Sequence, residues 1–152
     1  MRTINRDIVA PLIFSKDGKT LQTLQNVENK RCVYPGHWGI IGGGMEEGED
    51  QRTALNRETL EESSIDISSY TAELIHESSG EAEKTLKETG ERVFCKMKFH
   101  TYKVVINDKM ANEIKVTLND EHTEYRWVEP SQLKNLKLTP PSIELFTKLG
   151  YL

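Results

Sequence analysis

Apolar and polar positions along the chain change period several times, and each change predicts an element. Residues 8–14 (IVAPLIF) form a short, almost wholly apolar run, the pattern of a buried strand. Asp17-Gly18 follows as a turn signal, and TLQTLQNV after it predicts the second arm of a hairpin, with Pro11 expected at a bulge or an edge. Residues 32–41 (CVYPGHWGII) predict a loop leading into a short strand. Residues 50–63 predict the first helix: Asp50 suits the N-cap, good helix formers follow, and Ser63 and Ser64 weaken the end.

Beyond Ile67 the pattern turns to strands. AELIHES predicts one, residues 84–88 a second arm, and Glu88-Thr89-Gly90 a turn into the long run 92–106. In that run Val93, Cys95, Met97 and Phe99 alternate with Lys96, Lys98 and His100, the period of two of a strand with one buried face. Residues 124–130 (EYRWVEP) predict a short strand stopped by Pro130. The end of the chain predicts a helix capped by Thr139, with Pro140 in its first turn, an apolar set of Ile143, Leu145, Phe146 and Leu149, and Gly150 as the stop. Strands interleaved with two or three helices imply an α/β fold with a mixed sheet covered on both faces.

Length and composition narrow the class. A chain of 152 residues fits one domain, 1–152, with a sizeable core. The apolar runs fall far short of the ~20 residues a membrane span needs. The N-terminal stretch lacks a small-residue cleavage site and is read as a strand, not a signal peptide. Cys32 and Cys95 show no metal-ligand spacing, which suits free thiols in a reducing cytoplasm. A net charge of -4 without clustered Lys and Arg argues against a nucleic-acid polymer as partner, although a bound cation would still admit a polyphosphate.

The predicted helix of residues 50–63 carries the chemistry. At 100° per residue, with Glu58 at zero, Glu61 falls at about -60° and Glu62 at about +40°. Ala54 and Leu55, at about -40° and +60°, continue the same side. The acidic face therefore extends the small apolar face, which helices normally turn inward. Three like charges at this spacing repel, and the C-terminal end of a helix prefers cations. One reading is a solvated, helix-forming surface, the usual meaning of an acidic run. The other is a missing cation: hard divalent ions take oxygens from a few carboxylates and complete their shell with water and phosphate. Gly42, Gly43 and Gly44 ahead of the helix favour the second reading, since glycines admit unusual backbone conformations and close ligand approach.

The stretch from Gly43 to Ile65 resembles the Nudix box. Gly43, Glu49, Arg57, Glu58, Glu61 and Glu62 fall on its charged and glycine positions at fixed spacing, and Ile65 on its last apolar one. At average residue frequencies that coincidence is on the order of 10⁻⁷ per window. Thr59 stands where the box has an apolar residue, and Ser64 where it has glycine, which leaves open how the helix ends. VYPGHWGIIGGG before the box and NDEHTEYRWVEP after it are similar to the bacterial nucleoside triphosphatase branch of the family.

The resemblance implies a Nudix-type α/β/α sandwich and a metal-dependent hydrolase of a nucleoside diphosphate linked to another group. By position, Glu58, Glu61, Glu62 and the Gly42 carbonyl would hold Mg²⁺, with Mn²⁺ as an alternative. Arg57 and Glu49 would brace those carboxylates. Glu121 is the leading candidate general base in a later loop, with Asp120 and Glu124 as competitors. Arg31, Tyr34 and Gly43 are candidate substrate contacts. Trp38 and Trp127 are expected in the core, and His37, His76, His100 and His122 show no paired ligand spacing. No proline lies between Pro35 and Pro130, and no tyrosine between Tyr70 and Tyr102, so the downstream marks of ADP-ribose and dinucleoside polyphosphate hydrolases are missing. The resemblance then favours a nucleoside triphosphate, a pyrimidine deoxynucleotide in particular, cleaved to monophosphate and pyrophosphate. Hydrolysis of another nucleoside diphosphate conjugate and a non-catalytic nucleotide-binding module are the alternatives. A cytoplasmic monomer or homodimer is expected.

Overall fold

The computed structural model describes Met1–Leu152. Strand β1 (Thr3–Ser15) runs through the middle of a mixed sheet ordered β3-β2-β1-β6-β5. The others are β2 (Thr20–Gln25), β3 (Trp38–Gly39), β4 (Gly43–Gly44), β5 (Ala72–Thr85), β6 (Arg92–Ile106) and β7 (His122–Val128). Strand β6 pairs with β1 in parallel along the whole length of β1, β4 pairs antiparallel with β1, and β7 pairs antiparallel with β2. Helix α1 (Gln51–Ser63) and helix α2 (Pro140–Lys148) complete the fold.

The alternation of β1 builds both layers. Val9 and Ile13 join Ala54 and Leu55 of α1 in one core cluster; Leu12 and Phe14 join Leu145 and Phe146 of α2 in the other. The sheet is thus covered on opposite faces, the α/β/α sandwich expected from the sequence. Trp38 lies in the α2-side core and Trp127 packs, partly buried, against the α1-side core. In α2, Leu145 and Phe146 turn inward, but Ile143, assigned to the apolar set, is exposed. The helix stops at Leu149, and Gly150 takes a left-handed φ of 81°.

Pro11 lies neither in a bulge nor on an edge strand. The Asp7 carbonyl accepts a bond from the Met45 N–H, so odd-numbered residues of β1 point their backbone polar groups toward β4. On that flank the pairing passes from Val9 with Gly43 to Phe14 with Thr20. Pro11 sits between these two partners, where a missing N–H removes no ladder bond. Residues 84–88 do not form a separate arm either: β5 is one strand to Thr85, and its ladder with β6 shifts register once, between Leu74 and His76.

Helix α1 begins as its cap predicts, with the Asp50 side chain accepting from the Thr53 N–H at 2.8 Å. Thr59 is fully buried, and its hydroxyl donates to the Leu55 carbonyl, so its polar atom is satisfied inside the helix. Ser64 caps the end at φ 63°, the one non-glycine residue with positive φ. It takes up the left-handed conformation that glycine adopts more readily, and its hydroxyl donates to the Thr117 carbonyl at 3.1 Å. Ser64→Val, β-branched at this φ, is expected to lower stability by about 1–2 kcal/mol in urea unfolding. Ser64→Gly should stay within about 0.5 kcal/mol of the parent, because relief of the backbone offsets the lost hydroxyl bond and a looser unfolded chain. A valine variant as stable as the parent would contradict this account of the cap.

Candidate active site

The buried face of α1 consists of Ala54, Leu55, Glu58, Thr59, Glu62 and Ser63, so the acidic stripe does continue the apolar one into the protein. Glu62 is 2% exposed and Glu58 8%, whereas the Glu61 side chain is half exposed at the rim. Two carboxylates cannot be buried side by side without specific partners, and their surroundings supply several.

The glycine turn is the first. Strand β4 lies against Ile8 and Val9 of β1. None of Gly42, Gly43 and Gly44 has a positive φ. Their value is close approach, not the unusual backbone conformation expected from sequence. A Cβ on Gly42 would lie 2.8 Å from the Val9 carbonyl oxygen, and one on Gly43 2.2 Å from the Glu58 carboxyl group. The Gly42 N–H donates to Glu62 Oε2 at 3.0 Å.

Arg57 is the second partner. Its Nε and Nη2 donate to the two Glu49 carboxylate oxygens at 2.7 and 2.8 Å, a bidentate pair. Nη1 donates to Glu58 Oε1 at 2.9 Å and to Glu61 Oε2 at 3.3 Å, and Nη2 also donates to the Gly44 carbonyl. One guanidinium thus fastens the helix, the loop before it and the glycine turn. The bonds from Arg57, supported by the Glu46 N–H, hold the Glu49 carboxyl down at about 2. Burial pushes the Glu58 carboxyl up against the pull of Arg57. Glu46 is exposed, 3.7 Å from Arg57.

The third set of partners comes from the loop before β7, the first residue of that strand and the β5–β6 hairpin. Glu62, Glu121 and His122 place ligand atoms within 4.8 Å of one another. His122 Nε2 lies 3.1 Å from Glu62 Oε1, and Lys87 Nζ 3.1 Å from Glu121 Oε1. Burial, reinforced by the nearby Glu121 carboxyl, raises Glu62 well above the ordinary range. Burial would raise Glu121 as well, but its contacts with Glu62 and Lys87 bring it below its usual value. The two neighbouring carboxyls are thus pulled apart, Glu62 toward the protonated form and Glu121 toward the ionised one.

Glu49, Arg57, Glu58, Glu61, Glu62, Glu121, Gly42 and Gly43 are all gathered here. The competitors of Glu121 point elsewhere: Asp120 pairs with Arg31 at 2.9 Å, and Glu124 pairs with Arg126. Arg31 is thereby engaged by Asp120 and lines neither cavity of the site. Tyr34 lines an adjoining, mainly apolar cavity of about 160 Å³. That cavity and the carboxylate pocket share Gly42, Gly43 and Lys84. Sequence spacing passed over three residues of the site. His122 adjoins Glu121 in sequence, the one signal that could have found it, while Lys84 and Lys87 are brought in only by the fold of the hairpin.

A family model described as NUDIX domain matches residues 5–149. Nucleoside triphosphatase NudI of Escherichia coli (strain K12) is 32% identical over 133 residues, 88% of this chain and 88% of that protein. Nucleoside triphosphatase NudI of Enterobacter sp. (strain 638) is 31% identical over 150 residues, 97% of this chain and 98% of the relative. Among solved structures, the MutT protein from Methanosarcina mazei Go1 superposes with a TM-score of 0.69 at 18% identity, covering 97% of this chain and 94% of the other. At that identity the likeness concerns the fold.

A carboxyl held above its unfolded value stabilises the fold below that value, 4.5 for glutamate, and the contribution is lost as pH rises through the folded value. Glu62 is therefore a liability at neutral pH in the absence of a cation. In metal-free buffer Glu62→Gln, which keeps an acceptor for the Gly42 N–H, should raise the Tm by a few degrees, each kcal/mol corresponding to ~2–4 °C in a chain of this size. The difference should vanish as the pH approaches 4.5. A melting series with no such pH-dependent gain would remove the assignment of a strained carboxyl at this position.

Proposed function

The chain belongs to the Nudix hydrolase family, and on that premise we propose that it hydrolyses nucleoside triphosphates, pyrimidine deoxynucleotides in particular, to monophosphate and pyrophosphate. The observation that carries this reading is the continuity of two unlike spaces. A carboxylate pocket suited to a cation and phosphates adjoins an apolar cavity suited to a flat ring, with Gly42, Gly43 and Lys84 at their junction. The relatives named nucleoside triphosphatase over most of their length support the same substrate class.

The donor set fits a hard divalent cation. Its side-chain donors are carboxylate oxygens, two of them on buried residues, and close packing at Gly43 leaves no room for a side chain that would separate the turn from Glu58. Glu58, Glu61 and Glu62, with the Gly42 carbonyl, would hold Mg²⁺, or Mn²⁺ in its place. The cation supplies neutralisation of phosphate charge and polarisation of the reacting phosphoryl group.

The chain's own residues do the rest. Arg57, anchored bidentately by Glu49, fixes the orientation of Glu58 and Glu61. Lys84 faces both spaces and is placed to meet a phosphate oxygen near the ring end of the substrate. Glu121, ionised at neutral pH, accepts a proton from the attacking water. The water oxygen bonds to the α-phosphorus, the bond from that phosphorus to its β-bridging oxygen breaks, and pyrophosphate departs.

A panel of nucleoside triphosphates, nucleotide sugars and dinucleoside polyphosphates assayed with Mg²⁺ and with Mn²⁺ tests the reading. Release of pyrophosphate from a triphosphate is the expected result. Orthophosphate release, or turnover confined to the conjugates, would overturn it. Within the active enzyme, Glu62→Gln and Glu121→Gln should each lower kcat by about 10²–10⁴. Glu49→Gln acts only through Arg57, and should cost about 10–100-fold with a higher Mg²⁺ requirement.

A further inference from the structure

The apolar cavity beside the glycine turn is bordered by a histidine whose two ring nitrogens are enclosed and have no partner in the protein. His76 is 6% exposed and lines the cavity, and neither Nδ1 nor Nε2 has a hydrogen-bond partner. Its nearest acid, Glu144, places Oε1 3.9 Å from Nε2, beyond hydrogen-bonding range. Other buried polar atoms also lack partners, among them Thr20 Oγ1 and Trp127 Nε1, but those residues do not line this cavity. A buried imidazole left wholly unanswered is destabilising, and such groups are uncommon outside sites that meet a ligand.

The fold places the group deliberately. The register of β5 against β6 shifts between Leu74 and His76, and His76 then pairs with Thr101. Irregularities of this kind re-aim a side chain next to a site. Around the imidazole the cavity is walled by Ile8, Met97, Phe99 and Leu145, and it joins the carboxylate pocket through Gly42, Gly43 and Lys84.

We propose that His76, by a turn of its ring toward the cavity, reads the base of the nucleotide and sets base preference. The inference rests on the triphosphate reading above and goes beyond it by naming the residue and the recognition chemistry. A neutral imidazole offers one N–H donor and one bare nitrogen acceptor, so it serves a heterocycle edge with complementary polar atoms while the apolar walls cover the faces of the ring. A ligand without such an edge leaves the imidazole unpaired, and this is the stronger form of discrimination. The cavity, about 160 Å³, is small beside the ~300–1,000 Å³ of typical ligand pockets, which favours a single ring over a fused pair.

The test compares the parent protein with His76→Leu and His76→Gln on the four deoxynucleoside triphosphates. His76→Leu should lower kcat/KM for the preferred base at least ~10-fold, mainly through KM, and leave the disfavoured bases nearly unchanged, so that the profile flattens. His76→Gln keeps a donor and an acceptor and should retain part of the preference. In metal-free solution, the matching nucleoside monophosphate should shift the His76 side-chain ¹H–¹⁵N signals, and pyrophosphate alone should not. An equal loss for all four bases, an unchanged profile, or imidazole signals indifferent to the monophosphate would overturn the base-reading role. A parent enzyme inactive on every triphosphate would instead remove the substrate reading on which it rests. Because no hydrogen bond is lost, His76→Leu should melt no lower than the parent; should it fail to fold, His76→Gln and the titration of the parent decide between the outcomes.

Discussion

The contact on which the rest depends is the approach of Glu62 to Glu121. Their carboxyl oxygens lie within 4.8 Å, and at an effective dielectric of about 20 two charges so placed repel by at least ~3 kcal/mol. The hydrogen bond from the Gly42 N–H to Glu62 contributes roughly 1.5–3 kcal/mol at most. Repulsion plus the burial of Glu62 outweighs that bond, and His122 beside Glu62 and Lys87 beside Glu121 are the further partners that the protein supplies. A pair placed this way would be stabilised further by positive charge brought from outside.

The remaining architecture holds this imbalance in place. Arg57 ties Glu58 and Glu61 of α1 to Glu49 and to the Gly44 carbonyl, so the helix cannot rotate to relieve the repulsion without breaking several charge-assisted bonds. The glycine turn is in turn pinned to β1 through the Gly42–Val9 approach and the Met45–Asp7 bond. Strand β1 is the shared wall of both core clusters, and its parallel ladder with β6 fixes where the β5–β6 hairpin projects. The charged site and the apolar cavity are thus set by one strand.

Much of this was legible in the sequence wherever the signal is local. The limits of α1 and β6, the Asp50 cap and the inward carboxylate face follow from caps and periodicity, which depend on neighbours a few residues away. The spacing of the box singles out Glu49 and Arg57 as a pair, and the two side chains are hydrogen-bonded. What was hidden depends on distant pairing. The parallel partner of β1 lies some ninety residues along the chain, and no local pattern marks it. The tolerance of β1 for Pro11 depends on an exchange of partners across the strand, which no local pattern marks. Lys84, Lys87 and His76 are brought to the site by a register and a hairpin, so the absence of a paired spacing around His76 carries no information about its place.

The cations of that hairpin also resolve how an acidic protein can receive a polyphosphate. Arg57 is committed to carboxylates and Lys87 to Glu121, so neither is free to neutralise an incoming anion. Lys84 differs. It lies half-buried at the junction of the two cavities, and burial, with Arg6 nearby, draws its ammonium below the usual lysine value. A phosphate oxygen there would replace the hydration that burial removes, and favour the charged form that burial disfavours. The same logic governs Glu62 with the sign reversed. Burial disfavours the charged form of each group, and each would be relieved by one half of a cation–polyphosphate pair. On the proposed reading, a polyphosphate and its cation would thus each meet a group of opposite charge, even though the chain carries a net charge of -4.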